Sequence, residues 1–315
     1  MDHRGEKVMW DKIFFFHTPS GLPATAVSHA QLPTVLCFQD FVRVFFAVRD
    51  DRQYSSIYSI DLGLEGREVK VLSESPVLCL EPGALGGFDE HGVFPASIIS
   101  IEGRYHLYYI GWNKGATPPL FYAAIGLAVS EDGLNFKRTS VAPIMSRSEY
   151  DPCLVTSPHV YKDGELYRMT YVSGVKWTRE VHGLQSHYHI KHATSLDGVS
   201  WQREGRVAID FAPGETNIAR SAVMKNGEGC YEMWFSFVGP ESGKYRMGYA
   251  SSTDGWQWVR NDRKAGIDAD CEECSDMICY PCVFDFKGER YMLFNGDGFG
   301  RNGFGLAVLD RQRVV

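Results

Sequence analysis

Residues 158–173 read PHVYKDGELYRMTYVS, in which a short apolar opening leads through an Asp-Gly turn to an aromatic-rich run. Similar openings occur elsewhere, and the full set is PTV (33–35), PAS (95–97), PHV (158–160), SAV (221–223) and PCV (281–283). The copies start at residues 33, 95, 158, 221 and 281, so successive starts are 62, 63, 63 and 60 residues apart. A period of this length indicates one supersecondary unit repeated around an axis.

Each copy predicts four antiparallel strands. In the third copy, the quoted run is followed by HIKHATS (189–195), by a second Asp-Gly turn and by VSWQRE (199–204). Short runs rich in aromatic and β-branched residues between such turns are typical of hairpins, and no segment shows a convincing helical period. The sequence therefore predicts an all-β fold, a five-bladed β-propeller that spans residues 1–315 as a single domain.

The last copy contains only three clear strands, which would leave an exposed sheet edge. The early segment 11–17 (DKIFFFH) has the composition of the missing strand, and we expect it to pair with the last blade and close the ring. An all-β sandwich is the alternative architecture, but it would not explain five nearly equal periods.

Composition excludes several classes of protein. The net charge of −7 argues against nucleic-acid binding, and no apolar run is long enough to span a membrane. The N-terminal sequence MDHRGEKVMWDKIFFF carries charge where a secretory signal peptide needs an apolar stretch, which predicts a cytoplasmic location.

The eight cysteines are expected to be free thiols in that location. Four of them form two closely spaced CxxC pairs, Cys271 with Cys274 and Cys279 with Cys282. Zinc modules usually hold their pairs a dozen or more residues apart, so we interpret these thiols as structural or incidental. A metal site or a redox pair is the alternative that the spacing leaves open.

Acidic side chains recur just before the innermost strand of four blades, where a propeller places its central funnel. They are Asp89, Asp151, Glu215 and Asp276. Glycoside hydrolysis requires two carboxyl groups across a small gap, one to protonate the leaving oxygen and one to activate water or attack the anomeric carbon. Arg49 and Arg220 would tune these acids or bind an anionic group of the ligand.

The motif S-x-D-G-x-x-[FW] occurs at 130–136, 195–201 and 252–258. With the repeats and the acidic funnel, it resembles the five-bladed propeller glycosidases, which comprise arabinanases, xylosidases, invertases, levansucrases and the related mannoside phosphorylases. The segments DMICYP and YMLFNGDGFGRNGFGLA are similar to bacterial members whose substrates are unassigned.

The resemblance implies a blade-one aspartate as base or nucleophile, a blade-two aspartate that tunes it, and a later glutamate as acid. Asp89 matches the second position and Glu215 the third. Blade one has His29 and Gln31 where the aspartate is expected, so either Asp50 or Asp276 substitutes, or the protein uses a single acid as the phosphorylases do.

Three further patterns have simple interpretations. Residues 298–303 match a dinucleotide-binding pattern, but too few residues follow for a βαβ unit. His187 and His189 share one face of a predicted strand and form a possible metal pair. Trp112 and Trp177 lie in predicted funnel loops, where their faces suit sugar rings.

The sequence therefore predicts a carbohydrate-active enzyme, a glycoside hydrolase or a related glycosyl-transferring enzyme, acting on a small or activated sugar. The catalytic candidates are Asp89, Glu215 and Asp276. The substrate-binding candidates are Arg49, Asp50, His91, Trp112, Asp151, Trp177, His189 and Arg220. No cofactor or protein metal ligand is predicted, although an ion on the central axis is left open. The alternative is a non-catalytic propeller that binds a glycan or a protein partner through the same pocket.

Overall fold

The computed structural model describes residues 9–18, 26–181, 183–241 and 243–310. Residues 1–8, on which the expectation about a signal peptide rests, lie outside the described residues. Within the described ranges the protein is nearly all β, as predicted. The helical segments there are one short α-helix, Asp297–Gly300, and two 3-10 turns, Asp262–Lys264 and Glu272–Cys274. No described helix has the length and apolar character that crossing a membrane requires.

The strands follow the predicted repeat. The first group contains β1 (Met9–His17), β2 (Ser28–Cys37), β3 (Val42–Arg49), β4 (Ser55–Glu65), β5 (Glu68–Val71) and β6 (Val77–Leu80). The second contains β7 (Val93–Ile101), β8 (Arg104–Lys114), β9 (Phe121–Ser130) and β10 (Lys137–Arg138). The third contains β11 (Leu154–Asp163), β12 (Leu166–Glu180), β13 (Gly183–Ser195) and β14 (Val207–Ile209). The last strands are β15 (Asn217–Lys225), β16 (Tyr231–Val238), β17 (Tyr245–Ser252), β18 (Val259–Arg260), β19 (Cys279–Phe286), β20 (Glu289–Asn295) and β21 (Gly303–Asp310).

Hydrogen bonding groups these strands into four sheets. Their orders are β2-β3-β4-β5 with β6 on β4, β10-β9-β8-β7, β1-β21-β20-β19, and an eight-stranded sheet that contains β11 to β18. In the eight-stranded sheet, two antiparallel groups are joined by one parallel pair, Tyr188 with Asn217. β1 pairs antiparallel with β21, which is the pairing expected for residues 11–17. The number of blades stays a prediction.

Apolar clusters lie between successive strand groups. Phe45 packs with Tyr109 between the first and second groups, and Tyr108 packs with Tyr171 between the second and third. Further clusters join β13 to β16 and join β16 to β20. Phe46 and Phe304 belong to one cluster that joins β21 to the first group. Burial of apolar surface between sheets is thus distributed around the molecule.

The recurring S-x-D-G-x-x-[FW] motif forms the same turn three times. In the third copy, Ser252 Oγ donates to Asp254 Oδ1 (2.9 Å) and accepts from Gly255 N (2.8 Å). Gly255 has a φ of 68°, a conformation that favours glycine. Hydrogen bonds from the backbone N–H groups of Gln257 and Trp256 lower the pKa of Asp254 to about 2. The motif therefore serves to close a hairpin.

Candidate functional site

A central cavity opens among the ends of the first strands of the groups. It has two lobes, one of about 700 Å³ and one of about 580 Å³. The first, here the apolar lobe, is lined by side chains that include Phe94, Trp112 and Val172. The second, here the polar lobe, is lined by residues that include Gln185, Thr216 and Lys244. The wall common to both lobes consists of Gln31, Arg49, Phe121, Tyr188, Tyr245, Tyr280 and Phe299.

Bulges in the first strands of the groups shape this cavity. The pairing register shifts next to Leu32 in β2, Ser157 in β11 and Tyr280 in β19, and each of these residues has a positive φ, of 54°, 46° and 59°. All three line the apolar lobe. A bulge re-aims a side chain, and non-glycine residues in this conformation are sparsely populated and cluster at functional sites. The repeated bulge marks this end of the molecule as the candidate site.

Arg49 is the charged group of the wall that the two lobes share. Its Nε donates to Gln31 Oε1 (2.7 Å), and its guanidinium lies 5.9 Å from the centre of the Phe94 ring. Burial lowers the pKa of Arg49 from its ordinary value, a direction that reflects the lack of a nearby carboxylate. Among the described lining residues of both lobes there is no aspartate or glutamate. The cavity therefore presents a cation without an acidic partner.

Tyrosines supply neutral polar groups beside Arg49. Tyr188 and Tyr245 are hydrogen-bonded through their hydroxyls, and burial raises the pKa of Tyr188 to about 12. The Tyr280 ring stacks on Phe299 with centroids 6.3 Å apart, and the Tyr280 N–H donates to Ser236 Oγ (2.7 Å). These hydroxyls stay protonated at neutral pH, so they act as hydrogen-bonding groups rather than as charges.

Trp112 is one of the predicted binding residues that the structure places at the cavity. Its Nε1 donates to Ser55 Oγ (3.0 Å), which holds the indole in position while part of the ring lines the apolar lobe. Trp177 does not line either lobe, but it packs edge-on against Phe121 of the shared wall with centroids 5.8 Å apart. Arg49 and Trp112 are thus the two predicted residues that line the apolar lobe.

Asp89 lies away from the cavity lining and is 3% exposed. Its Oδ2 accepts hydrogen bonds from Arg138 Nε (2.8 Å) and from Tyr109 Oη (3.1 Å). Arg138 belongs to β10, the last strand of the same sheet, and Tyr109 belongs to β8. The carboxylate therefore links the loop before β7 to the rest of its own sheet.

Asp151 has the same arrangement one repeat later and is fully buried. Its Oδ2 accepts from Arg203 Nη1 (2.8 Å) and from Ser148 Oγ (2.8 Å), and Tyr171 Oη donates to Oδ1 (3.1 Å). Lys191 Nζ lies 3.7 Å from Oδ1. Asp151 does not line either lobe.

Glu215 repeats the pattern with a bidentate pair. Arg260 Nη2 and Nη1 donate to Glu215 Oε1 (2.6 Å) and Oε2 (2.7 Å), and Ala212 N donates to Oε2 (2.8 Å). The Arg260 guanidinium also lies 5.2 Å from the centre of the Phe235 ring. Hydrogen bonding to carboxylates, chiefly to Glu215, outweighs burial and raises the pKa of Arg260.

The three entrance carboxylates, Asp89, Asp151 and Glu215, therefore share one kind of partner. Each pairs with an arginine, Arg138, Arg203 and Arg260 respectively. Each arginine lies two residues after the aromatic residue of an S-x-D-G-x-x-[FW] motif, at Phe136, Trp201 and Trp258. An extended motif S-x-D-G-x-x-[FW]-x-R could have revealed these partners from the sequence. The equivalence of the acids around the repeat has a structural explanation in these pairs, and their catalytic role stays a prediction.

Asp276 and Asp50 lie in different surroundings. Asp276 is about half exposed and pairs with Lys244 Nζ (2.7 Å), and Lys244 lines the polar lobe. Asp50 accepts from the backbone N–H groups of Arg52 (2.9 Å) and Tyr54 (2.7 Å), so it holds the turn after β3. Of the predicted acids, Asp276 is the one with an ion-pair partner at the cavity.

The remaining predicted binding residues do not line either lobe. His91 Nδ1 is bonded to Asn113 Oδ1 (3.0 Å). Arg220 is 3% exposed, and its Nη2 donates to Pro33 O and Thr34 Oγ1, both at 2.8 Å, which joins β15 to β2.

The predicted histidine pair is divided between two contacts. His189 Nδ1 is bonded to Asp210 Oδ1 (2.8 Å), and His187 Nε2 is bonded to Thr178 Oγ1 (2.8 Å). Within the described parts of the chain, no three His, Cys, Asp or Glu side chains are placed to hold a metal ion.

The cysteine cluster differs from the expectation of free thiols at one pair. Cys271 and Cys274 form a disulfide, because the turn Glu272–Cys274 brings the two side chains together. Cys279 and Cys282 are free, and burial raises the pKa of both thiols. The prediction was wrong for the first pair, and the second pair is consistent with structural thiols.

A mycobacterial relative matches this protein over nearly its whole length. The uncharacterized protein Rv1502 of Mycobacterium tuberculosis is 40% identical over 305 residues, which cover 96% of this chain and 99% of that protein. The protein described above belongs to the family of Rv1502. A 1,2-beta-oligomannan phosphorylase of a Thermoanaerobacter species is 30% identical over 143 residues, 44% of this chain and 45% of that protein. No protein-family model matches the sequence.

Solved structures with the same fold are glycoside hydrolase-like proteins. One glycoside hydrolase has a TM-score of 0.72 at 17% identity, with coverage of 96% of this protein and 92% of the hydrolase. A glycosyl hydrolase from Bacteroides ovatus has a TM-score of 0.67 at 13% identity, with coverage of 97% and 96%. The Bombyx mori GH32 beta-fructofuranosidase BmSUC1 has a TM-score of 0.59 at 13% identity, with coverage of 89% and 61%. These similarities confirm the resemblance to the propeller glycosidase superfamily, of which this Rv1502 relative is a divergent member.

Proposed function

We propose that this protein is a carbohydrate-active enzyme that transfers a glycosyl group to or from phosphate, with the central cavity as its site. One observation carries the proposal: Arg49, a cation, lies in the wall of a large aromatic cavity whose described lining contains no carboxylate. Glycoside hydrolysis needs two carboxylates around the scissile bond. A sugar that carries its own anionic leaving group needs no protein acid, but it does need a cation to stabilise that group.

The chemistry of such a transfer balances without an acid at the cavity. The bond between the anomeric carbon and the phosphate oxygen breaks, and its electron pair stays on the phosphate. An acceptor hydroxyl forms the new bond to the anomeric carbon, and its proton passes to the departing phosphate. Arg49 would stabilise the charge on that phosphate through the Nη1 and Nη2 groups, which no described hydrogen bond uses. The reverse reaction is phosphorolysis, which agrees with the activity that names the partly matching oligomannan phosphorylase.

The sugar ring is proposed to lie in the apolar lobe. Trp112 and Phe94 are close neighbours there, with ring centroids 6.3 Å apart. Aromatic faces bind the C–H faces of sugar rings, and Ser157 and Gln31 add groups that hydrogen-bond to hydroxyls. In this proposal, Asp89 and Glu215 stabilise the fold, and Asp276 holds Lys244 at the polar lobe.

The architecture that supports this site is proposed to be one five-bladed ring that spans the sequence as a single domain. The apolar cluster that contains Phe46 and Phe304 supports it, because it joins the last strand group to the first.

The test is a transfer assay with mannose 1-phosphate as donor and mannose as acceptor, read as release of inorganic phosphate. We expect turnover that falls at least ten-fold in Arg49→Gln and stays unchanged in Arg104→Gln, an exposed arginine at the far end of β8. Turnover of neutral aryl mannosides that exceeds turnover of mannose 1-phosphate would sink the proposal.

A non-catalytic glycan-binding propeller is the second candidate. The pairing of the entrance carboxylates with arginines favours it, because these acids are then unavailable for proton transfer. Affinity for mannose 1-phosphate that depends on Arg49, with no turnover across a panel of sugar phosphates and acceptors, would support this candidate over the enzyme.

A further inference from the structure

The polar lobe has no role in the proposed transfer from a simple sugar phosphate. Its volume of about 580 Å³ approaches the 700 Å³ of the apolar lobe. Cavities that hold small ligands span about 300 to 1,000 Å³, so each lobe alone is large enough for a ligand group. The molecule therefore offers space for two groups, and the shared wall defines where they would join.

The junction between the lobes is cationic. Arg49 lines both lobes, and its Nε bond to Gln31 fixes the guanidinium plane. Gln31 is 3% exposed, so this support is itself buried. A group that passes from one lobe to the other must pass Arg49, and an anion is the group that a guanidinium binds best.

The lining of the two lobes differs in chemistry. The apolar lobe has Trp112, Phe94 and Leu32, whereas the polar lobe has Gln185, Thr216 and Lys244. Gln185 Nε2 donates to Ser186 O and Asn217 Oδ1, both at 2.9 Å, which leaves Gln185 Oε1 as an acceptor without a described partner. The polar lobe thus suits a second group that carries hydroxyl or N–H donors.

An aromatic face borders the junction as well. Phe299 stacks on Tyr280 and is 43% exposed, and both residues have positive φ values, of 61° and 59°. An exposed aromatic ring held in a sparsely populated backbone conformation is a suitable platform for a flat or ring-shaped group.

We propose that the polar lobe is a second binding subsite, and that the ligand is a sugar joined through a phosphate or diphosphate to a second polar group. The sugar lies in the apolar lobe, the anionic linker at Arg49, and the second group in the polar lobe against Phe299. A linker of this kind is anionic at the point where its two groups meet, which is where the cavity places Arg49. This inference rests on the proposed function, since it assigns the leaving group of the same site.

Calorimetric titration with GDP-mannose, mannose 1-phosphate and GDP tests this assignment on the full-length protein. We expect GDP-mannose to bind at least ten-fold more tightly than either of its parts, because it fills both lobes. Val238→Trp, which would fill part of the polar lobe, should reduce that preference to less than two-fold. Gly239→Val is the second variant if the first does not fold, since a Cβ there would meet nothing closer than 3.4 Å, at the Phe237 ring.

The outcomes separate this inference from the proposed function. If mannose 1-phosphate binds in an Arg49-dependent way and GDP-mannose binds no more tightly, the second subsite is wrong and the proposed function stands. Preference for GDP-mannose that persists in both polar-lobe variants also overturns the second subsite. If none of the three compounds binds in an Arg49-dependent way, the proposed function fails as well. Tighter binding of a neutral mannobiose than of GDP-mannose would assign the polar lobe to an acceptor sugar instead.

Discussion

Asp151 lies fully buried between an arginine, a tyrosine and a serine, whereas Arg49 lies at the cavity wall with the neutral amide of Gln31 as its described side-chain hydrogen-bond partner. The first arrangement recurs in two other repeats, at Asp89 and Glu215, and the second does not recur. A charge with a partner of opposite sign in its own sheet stabilises that sheet. A charge without one is available to a ligand. In this molecule, repetition accompanies structural roles, and the departure from the repeat in the first copy accompanies the candidate site.

The largest expected effect comes from breaking a repeated pair. Asp151→Asn should lower the free energy of unfolding by about 3 kcal/mol, because it leaves Arg203 and Lys191 without their buried counter-charge. Urea unfolding measures this change. Asp51→Asn, at an exposed aspartate, is the control and should change the free energy little. Equal effects of the two substitutions would show that the buried pair contributes nothing particular.

A double-mutant cycle between Glu215 and Arg260 sharpens the comparison at the bidentate pair. We expect a coupling free energy of about 2 kcal/mol, because both guanidinium nitrogens bond to the carboxylate. The matched control is the exposed pair of Asp276 and Lys244, for which a coupling below about 1 kcal/mol is expected. A weaker coupling at Glu215 than at Asp276 would contradict a structural role for the entrance carboxylates.

The cavity side of the comparison has a signature in pH. Burial, followed by the positive charges of Arg49 and Arg301, lowers the pKa of His29 from 6.5 to about 4. Because the folded pKa lies below the unfolded one, the unfolded state binds more protons between pH 6.5 and 4. His29 therefore reduces stability as the pH falls through this window, with a limiting slope of about 1.4 kcal/mol per pH unit.

Arg49→Gln should raise the pKa of His29 in an NMR titration, because it removes one of the repelling charges. The pKa should stay below 6.5, since burial is the larger cause. An unchanged His29 pKa in this variant would place the Arg49 charge farther from His29 than the structure does.

The smallest effect is expected at the repeated turn. Ser252→Ala should cost about 1 kcal/mol, because its hydroxyl bonds both Asp254 and Gly255 N. The neighbouring Ser251 is exposed, and Ser251→Ala is the matched control in the same urea experiment. A loss of binding without a loss of stability in Ser252→Ala would move this motif from the fold to the site.

The sequence predicted the all-β class, the five equivalent openings and the pairing expected of residues 11–17, because turn chemistry and strand periodicity are local properties. It also identified Arg49 and Trp112, which line the cavity. The partners of the entrance carboxylates were not recognised, although Arg138 and its equivalents follow the repeated aromatic residue at constant spacing. Tyr188, Tyr245 and Tyr280 depend on strand register and on bulges that bring distant strands together, and neither follows from local sequence.

The central claim is that the ligand is bound by Arg49 rather than by the entrance carboxylates. Calorimetric measurement of the affinity for mannose 1-phosphate in Arg49→Gln and Asp89→Asn, each verified as folded, tests it most directly. We predict an affinity at least ten-fold weaker in Arg49→Gln and within two-fold of the unmodified protein in Asp89→Asn. A large loss in Asp89→Asn together with full affinity in Arg49→Gln would contradict the claim and return the site to the carboxylates.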